Sequence, residues 1–235
     1  MKSASIAIVT FLLVFSCGTK ESDLIVKGQI KGLKKGTVYL QHFKDSTLVI
    51  SDSVIVNGEQ PFELHSNLES PEMFYLYLDK NSSEKDAIPF FADKGITEIN
   101  TTLKNFVFDA KIKGSKQQEV LEKYQSIMAK FNNRNLELIK ENFEAQRDGD
   151  SAKLKRIEKE SDGVLKRKYL YAVNFAISNN DSEVAPYLAL TEIYNARLNL
   201  LDTINKSLTP SVKKSKYGKK LQEFIDGIKE DNKNN

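Results

Sequence analysis

The spacing of apolar residues changes once along the chain, near Gly114, and no other feature constrains the fold as strongly. Before that point apolar and polar residues alternate, which predicts strands with one face on a core and one face in water. After it, apolar residues recur at steps of three and four, which predicts helices with one buried stripe. An α+β fold is therefore expected: an N-terminal antiparallel β-sandwich of about seven or eight strands, then a C-terminal helical region with a long helical hairpin.

The predicted strands are short and are separated by glycine and proline. Between two of them, Asn57-Gly58 favours a two-residue hairpin, because both central residues of that turn need a positive φ. We therefore predict that the strand before Asn57 pairs directly with the strand after Gly58. Alternation is clearest in residues 24–30, 62–65, 74–79 and 106–113.

The predicted helical hairpin consists of residues 116–147 and 151–178, and an aspartate in the turn between them is placed to cap the second helix. Shorter helices are predicted at residues 183–196, 200–208 and 219–228. The first long helix has an apolar stripe of Val120, Tyr124, Ile127, Phe131 and Leu138. The stripe of the second helix consists of Leu154, Ile157, Val164, Leu165, Tyr169, Ala172 and Phe175. The predicted segments are a signal peptide (1–16), a lipidated tether (17–23), a β-sandwich domain (24–113), a helical domain (114–229) and a disordered tail (230–235).

The first residues have the pattern of a bacterial lipoprotein signal. Lys2 precedes an apolar run at residues 6–15. Ten residues of helix span only about 15 Å, half of the roughly 30 Å hydrocarbon core of a bilayer, so the run predicts a cleaved signal peptide rather than a membrane span. Residues 14–18 (VFSCG) resemble a lipobox, in which the cysteine sulfur is acylated and cleavage follows just before the cysteine. Cys17 is therefore the predicted lipidation site.

Lipidation of Cys17 predicts where the protein resides. Several acyl chains anchor a protein stably where a single chain would not. In lipoprotein sorting, an aspartate after the cysteine resembles a signal for retention in the inner membrane, and this chain has Gly18 there. We therefore expect a lipid-anchored protein of the cell envelope, in the outer membrane, facing the periplasm or the cell surface.

Charge and cysteine content exclude several classes of function. Lys and Arg number 35 against 32 Asp and Glu, and a net charge of +3 gives no footprint for nucleic acid. The single cysteine excludes an intramolecular disulfide, a CxxC redox pair and a cysteine-rich zinc site. The two histidines have no HxH or HxxxH spacing, and no glycine-rich phosphate loop follows a strand. We therefore expect no metal, no cofactor and no nucleic-acid partner.

Few residues are candidates for catalysis. His42 shares strand parity with apolar positions, so it is either a general base or a hydrogen-bonded core histidine, whereas His65 is expected to face water. Carboxylate pairs such as Glu158 and Glu160 can hydrolyse glycosides, but 32 acidic residues produce such pairs by chance. No GxSxG elbow is present. No catalytic residue is assigned, and the protein is expected not to be an enzyme; the alternative is an envelope hydrolase using carboxylates or a Ser/His pair.

Four hydroxyl residues follow an aspartate in a pattern that resembles the O-glycosylation acceptor of Bacteroidetes. In that pattern an Asp precedes a Ser or Thr, which is followed by an apolar residue or Thr. The alternative interpretation is a turn or a helix cap. The four candidates are Ser46, Ser53, Ser151 and Thr203.

Four further segments carry a family resemblance. They are residues 25–33 (IVKGQIKGL), 36–40 (GTVYL), 180–188 (NDSEVAPYL) and 208–221 (LTPSVKKSKYGKKL). Together they resemble a family of Bacteroidetes lipoprotein domains of unknown function. Such domains usually stand N-terminal to a thioredoxin-like domain in thiol:disulfide oxidoreductases. The resemblance implies an accessory module of a thiol:disulfide interchange lipoprotein.

The sequence departs from these relatives after the segment at residues 217–221 (YGKKL). In the relatives this segment leads into a redox domain with a CxxC pair, whereas this sequence ends at Asn235, so no thioredoxin-like domain is expected. Thiol–disulfide exchange needs a thiolate, and acylation consumes the sulfur of Cys17. We therefore expect a non-catalytic binding module whose partners are the membrane, through the lipid anchor, and an envelope redox protein or an outer-membrane complex. The alternatives are the hydrolase and a helical scaffold subunit of an outer-membrane complex.

Overall fold

The computed structural model describes residues 22–79 and 86–234. The predicted signal peptide and Cys17 lie outside the described residues. Within the described part eight strands precede six helices, which confirms the predicted α+β fold. The strands are β1 (Leu24–Lys31), β2 (Lys35–Lys44), β3 (Thr47–Asn57), β4 (Phe62–Ser66), β5 (Glu72–Leu78), β6 (Ile88–Ala92), β7 (Gly95–Thr102) and β8 (Lys111–Lys113). The helices are α1 (Lys116–Asp148), α2 (Ser151–Ser178), α3 (Val184–Thr191), α4 (Leu198–Ser207), α5 (Pro210–Lys214) and α6 (Lys216–Asn234).

The strands form two four-stranded sheets that share one core. Their strand orders are β4-β1-β7-β8 and β3-β2-β5-β6. β1 and β7 pair in parallel, whereas the other pairings among these strands are antiparallel. Because each strand turns every second side chain inward, the predicted alternation puts apolar residues of both sheets into the space between them. Buried members of this core include Leu24, Val26, Leu40, Leu64, Phe74, Leu76 and Phe90.

The predicted hairpin at Asn57-Gly58 is wrong. Gly58 has the expected positive φ of 78°, but β3 pairs with β2 and β4 pairs with β1. The connection, residues 58–61, carries the chain from one sheet to the other, where Phe62 enters the core. The two-residue hairpin joins β2 to β3 instead, with Asp45 at φ 55° in its turn.

A second correction concerns residues 106–113, which the alternation predicts as one strand. Only Lys111–Lys113 form a strand, and turns occupy the residues before them. The Thr101 hydroxyl donates to the Phe106 carbonyl at 2.6 Å. In a strand this carbonyl would accept from the backbone of a neighbouring strand, and here a side chain takes that place. The ring of Phe106 is buried, whereas Phe108 is 93% exposed.

The long helical hairpin forms as predicted. The residue after α1, Gly149, has φ 67°, and the Asp150 carboxylate accepts a hydrogen bond from the Lys153 N–H at 2.9 Å. Glycine after one helix and aspartate before the next are the residues that these positions favour. α6 continues to Asn234, so it includes residues 230–234, which the sequence pattern assigns to a tail. None of the helices in the described part combines the length and apolarity that a bilayer span requires.

The hairpin is held differently along its length. Near the sandwich, α1 and α2 share a large apolar core with the later helices and with residues of β5 and β6. Towards the turn, ion pairs take a larger share, including Arg134–Glu160 at 2.6 Å and Arg156–Glu141 at 3.0 Å. The buried residues of this outer part are Leu138, Ala145, Ile157 and Val164. The outer hairpin is therefore a thin two-helix element with much of its surface available to other molecules.

Polar contacts fix the helices to the sandwich at the start of α6. The Tyr217 hydroxyl accepts a hydrogen bond from the Met73 N–H at 3.1 Å. The Lys216 ammonium pairs with Glu72 and donates to the Phe43 carbonyl at 2.6 Å. Both α6 residues belong to segment 208–221 of the family resemblance, so that part of the motif has a structural role in joining the two regions.

Candidate functional site

Both histidines of the chain line one cleft, which we name the histidine cleft. It has a volume of about 390 Å³ and lies where β2 and β3 of one sheet approach the end of β4 in the other. Sequence periodicity does not predict this meeting, because His42 and His65 lie on strands of different sheets. The cleft is lined by Ser22, His42, Val49, Ile50, Ser51, His65, Ser66 and Asn67.

A β-bulge brings Ser51 to His42. Residues 40–41 of β2 pair with Asp52 and Ile50, so Ser51 is an extra residue of β3 without a partner on β2. A bulge of this kind bends the strand and re-aims a side chain. The Ser51 Oγ lies 3.5 Å from His42 Nδ1, at the outer limit of a hydrogen bond.

The surroundings of His42 favour its neutral form. Partial burial lowers the pKa of the imidazole; the charge of Glu72 opposes this effect, and the charges of Lys216 and Lys44 add to it. The ring also packs edge-on against Phe74, with ring centroids 4.9 Å apart. A neutral imidazole next to a hydroxyl group can accept its proton.

His65 enters the cleft from β4 and is held at its rim. Its Nε2 lies 3.2 Å from Glu63 Oε1, and Glu63 also pairs with Lys27 at 2.9 Å. The His65 N–H donates to the Asp52 carboxylate at 2.8 Å, which ties β3 to β4 beside the cleft. The side chain of His65 is 46% exposed, so it faces water as predicted and the cleft as well.

The Ser51–His42 pair can exchange a proton, but the groups around His42 differ from those that orient the base of a catalytic triad. Activation of a serine requires a base that a third group orients. The carboxylate that acts on the pKa of His42 belongs to Glu72, and Glu72 is paired with Lys216. The hydrolase alternative therefore stays a prediction. Within residues 22–79 and 86–234, no group of three His, Cys, Asp or Glu side chains is placed to hold a metal ion.

A second concave surface, which we name the helical groove, lies between α2 and the connection from α3 to α4. Its larger part has a volume of about 760 Å³, and a smaller part of about 220 Å³ adjoins it. Leu165, Tyr169 and Asn195 line both parts, so the two form one continuous surface. Tyr124 and Met128 line the smaller part and are buried members of the helical core.

The helical groove has an apolar centre and a charged rim. Leu165 is 67% exposed and Leu170 is 44% exposed. Lys166, Arg197 and Asp162 line the same surface. Exposed large apolar side chains beside a concavity with a polar rim are typical of a protein-binding surface. Leu165 belongs to the predicted apolar stripe of α2, and the structure places it outside the core instead.

A separate apolar stripe is exposed on α1. Leu136, Ile139 and Phe143 are 63%, 45% and 67% exposed, and they follow one another at steps of three and four. They differ from the predicted α1 stripe, of which Tyr124 and Leu138 are buried against the rest of the chain. This exposed α1 stripe is the surface on which the scaffold alternative depends, and that alternative stays a prediction.

The four residues that resemble glycosylation acceptors are exposed. The aspartates before three of them have structural partners, since Asp52 accepts backbone hydrogen bonds from Ser53 and His65, Asp150 caps α2, and Asp202 pairs with Lys206 and Lys229. Glycosylation stays a prediction. Ser46 lies in the β2–β3 turn, Ser53 on β3, Ser151 at the first residue of α2 and Thr203 on α4.

The predicted resemblance to a domain-of-unknown-function family is confirmed for one part of the chain. No curated protein and no solved structure matches the sequence. Segments 25–33 and 36–40 lie inside the matched residues, whereas segments 180–188 and 208–221 lie beyond them. Residues 24–121, which contain the eight strands and the start of α1, match the model of the family described as Domain of unknown function (DUF4369).

Proposed function

We propose that the protein is a lipid-anchored protein of the cell envelope that binds a partner protein in the helical groove and catalyses no reaction itself. The observation that carries the proposal is the groove with its exposed Leu165 and Leu170. A folded protein gains stability from burying such side chains, and their exposure beside a concave surface favours burial against another chain.

The sequence before the described residues supports the anchor. Segment 14–18 has the lipobox pattern, and Cys17 is the single cysteine of the chain. Ser22 lies five residues after Cys17, which corresponds to at most about 18 Å of extended chain. Because Ser22 lines the histidine cleft, an anchor at Cys17 would hold that end of the sandwich close to the membrane surface.

We expect intact-mass spectrometry of the protein from its native envelope to find Cys17 as an acylated first residue. Cys17→Ala should instead keep residues 1–16, because the peptidase that removes the signal acts on the lipidated cysteine. Ser16→Ala is the matched control, since it keeps a small residue before the cysteine and should leave processing unchanged. An unmodified Cys17 within a longer soluble chain would contradict the anchor.

The chemistry of the helical groove indicates the kind of segment that it binds. Its centre can take an apolar side chain of the partner against Leu165 and Tyr169, and the volume of its larger part is in the range of ligand-binding clefts. Asn195 lines the same surface and can form hydrogen bonds with a backbone. The groove therefore fits an apolar segment of another protein.

Leu165→Asp should reduce the amount of partner captured from detergent-extracted envelopes at least ten-fold, as measured by quantitative mass spectrometry. A carboxylate without a partner in an apolar contact loses its hydration, and a ten-fold loss corresponds to only about 1.4 kcal/mol. Since Leu165 is 67% exposed, the substitution should leave the fold intact. Leu136→Asp is the matched control, because Leu136 is 63% exposed on the same hairpin but belongs to the exposed α1 stripe.

The two variants also separate the alternatives. Loss of the partner with Leu136→Asp and its retention with Leu165→Asp would move the interaction to α1 and support the helical scaffold. Retention with both variants would rule out both surfaces. The resemblance to accessory modules of Bacteroidetes thiol:disulfide lipoproteins supports an envelope redox protein as the partner, and an outer-membrane complex is the other candidate.

A further inference from the structure

The polar side chains that line the histidine cleft share one property, because all of them can donate a hydrogen bond. Hydroxyl, imidazole and amide groups enter from β2, β3, β4 and the residues beside them. Among the described residues no carboxylate lines the cleft. The donors are Ser22, His42, Ser51, His65 and Asn67, whereas the Ser66 hydroxyl already donates to the Asn67 carbonyl at 3.2 Å.

The carboxylates near the cleft are engaged by other groups. Asp52 accepts hydrogen bonds from the backbone N–H groups of Ser53 and His65, both at 2.8 Å. Asp23 pairs with Lys94 at 3.0 Å. Two further acids on strands beside the cleft form the pairs Glu63–Lys27 and Glu72–Lys216. The acids therefore offer little to a molecule in the cleft, and their charges are balanced by cations or by backbone dipoles.

Because the nearby carboxylates are already paired, the net charge of the cleft depends on the protonation of the two imidazoles. His42 on β2 is faced by Glu72 of β5, Lys216 of α6 and Lys44 of its own strand. His65 on β4 lies beside Glu63 of the same strand and is bonded through its backbone to Asp52 of β3. Each protonated imidazole adds one positive charge and one more donor to a site that is otherwise close to neutral.

We propose that the histidine cleft binds a phosphate-ester anion, held by hydroxyl, amide and imidazole donors from both sheets. Charge-assisted hydrogen bonds to an anion are the strong form of this interaction, and several converging donors suit the oxygens of a phosphate. A neutral carbohydrate fits less well, because it gains no charge-assisted hydrogen bond from a protonated imidazole. A hard cation such as Ca²⁺ or Mg²⁺ fits less well, because it needs carboxylate or carbonyl ligands.

Anion binding and imidazole protonation favour each other, so the affinity should rise as the pH falls. The probe is glycerophosphoglycerol, a soluble phosphodiester whose own charge stays constant between pH 5 and 8. Calorimetric titration of the purified protein should show saturable binding, with a dissociation constant at least five-fold lower at pH 5.5 than at pH 7.5.

Two variants locate the binding. Ser51→Ala and His65→Ala should each raise the dissociation constant at pH 5.5 at least three-fold. Ser53→Ala is the matched control on the same strand, because Ser53 is exposed and does not line the cleft. Thermal melts of each variant show whether the fold is retained. Three results would overturn the proposal. The first is absence of saturable binding up to 50 mM probe, about fifty times a 1 mM dissociation constant. The others are an equal loss of affinity with Ser53→Ala and an affinity that does not change with pH.

A phosphate ester can come from a lipid headgroup or from a soluble molecule, and a second measurement separates these sources. Residues 17–235 with Cys17→Ala, produced without the predicted signal peptide, are mixed with phosphatidylcholine vesicles that either contain or lack phosphatidylglycerol. The headgroup is the source if the protein floats only with vesicles that contain phosphatidylglycerol and if glycerophosphoglycerol suppresses this flotation. Binding of the soluble probe without flotation identifies a free phosphate ester. The headgroup source depends on the proposed anchor, whereas the anion site itself does not.

Discussion

Replacement of Phe91 by alanine should lower the free energy of unfolding by about 3–5 kcal/mol. Phe91 lies on β6 and is completely buried among the helices. Its ring packs edge-on against Tyr187 and Tyr217, with centroids 5.6 Å and 5.8 Å apart. Removal of the ring would leave a cavity where sheet and helices meet, and both tyrosines would lose a partner.

The backbone of Phe91 makes this position still more important. β6 is an edge strand, and edge strands have unpaired backbone groups that need another partner. The Phe91 N–H donates to the Gln118 side chain at 2.8 Å, and its carbonyl accepts from the Ser115 hydroxyl at 2.6 Å. The start of α1 therefore covers the sheet edge, and a shift of β6 would break these bonds as well.

Urea denaturation measures the effect, with Phe108→Ala as the control. Phe108 is 93% exposed, so its loss should change the free energy of unfolding by no more than about 0.5 kcal/mol. A cost below about 1 kcal/mol for Phe91→Ala would show that the helices do not depend on this contact. Separate unfolding transitions for sandwich and helices would lead to the same conclusion.

Features that depend on nearby residues could be predicted from the sequence. Alternation predicts which residues of β5 are buried, because the side chains of a strand point to opposite faces whatever the strand pairs with. Phe74 and Leu76 are completely buried, as predicted. The cap at Asp150 is also local, because its carboxylate needs only the N–H of Lys153.

Features that depend on topology could not be predicted. Asn57-Gly58 has the composition of a hairpin turn, but the pairing of β3 with β2 is decided by the whole sheet. The histidine cleft needs β4 on the opposite sheet and a bulge at Ser51, and neither leaves a local signal. One signal was present for the helical groove. Val164 and Leu165 are adjacent in a helix and so point about 100° apart, which means that one narrow stripe cannot bury both.

Replacement of Gly218 by alanine should destabilise the protein by about 2–3 kcal/mol, a cost typical of overpacking. A Cβ atom at this position would lie 2.0 Å from the Val212 carbonyl oxygen and 2.8 Å from the Lys213 Cα. Both are backbone atoms, so relief requires α5 to move relative to α6. The glycine follows Lys216 and Tyr217, which join α6 to the sandwich, so such a movement would also disturb that junction.

Gly227→Ala is the matched control for this effect. Gly227 lies on α6 as well, and a Cβ atom there would meet nothing within 4 Å. Alanine is favoured over glycine inside a helix by about 0.5–1 kcal/mol, so this variant should be more stable than the wild type. Urea titrations should therefore show that the free energy of unfolding falls with Gly218→Ala and rises with Gly227→Ala, although both place alanine on the same helix. If Gly218→Ala stabilised the protein instead, the backbones of α5 and α6 would have to lie far enough apart to accommodate a Cβ atom.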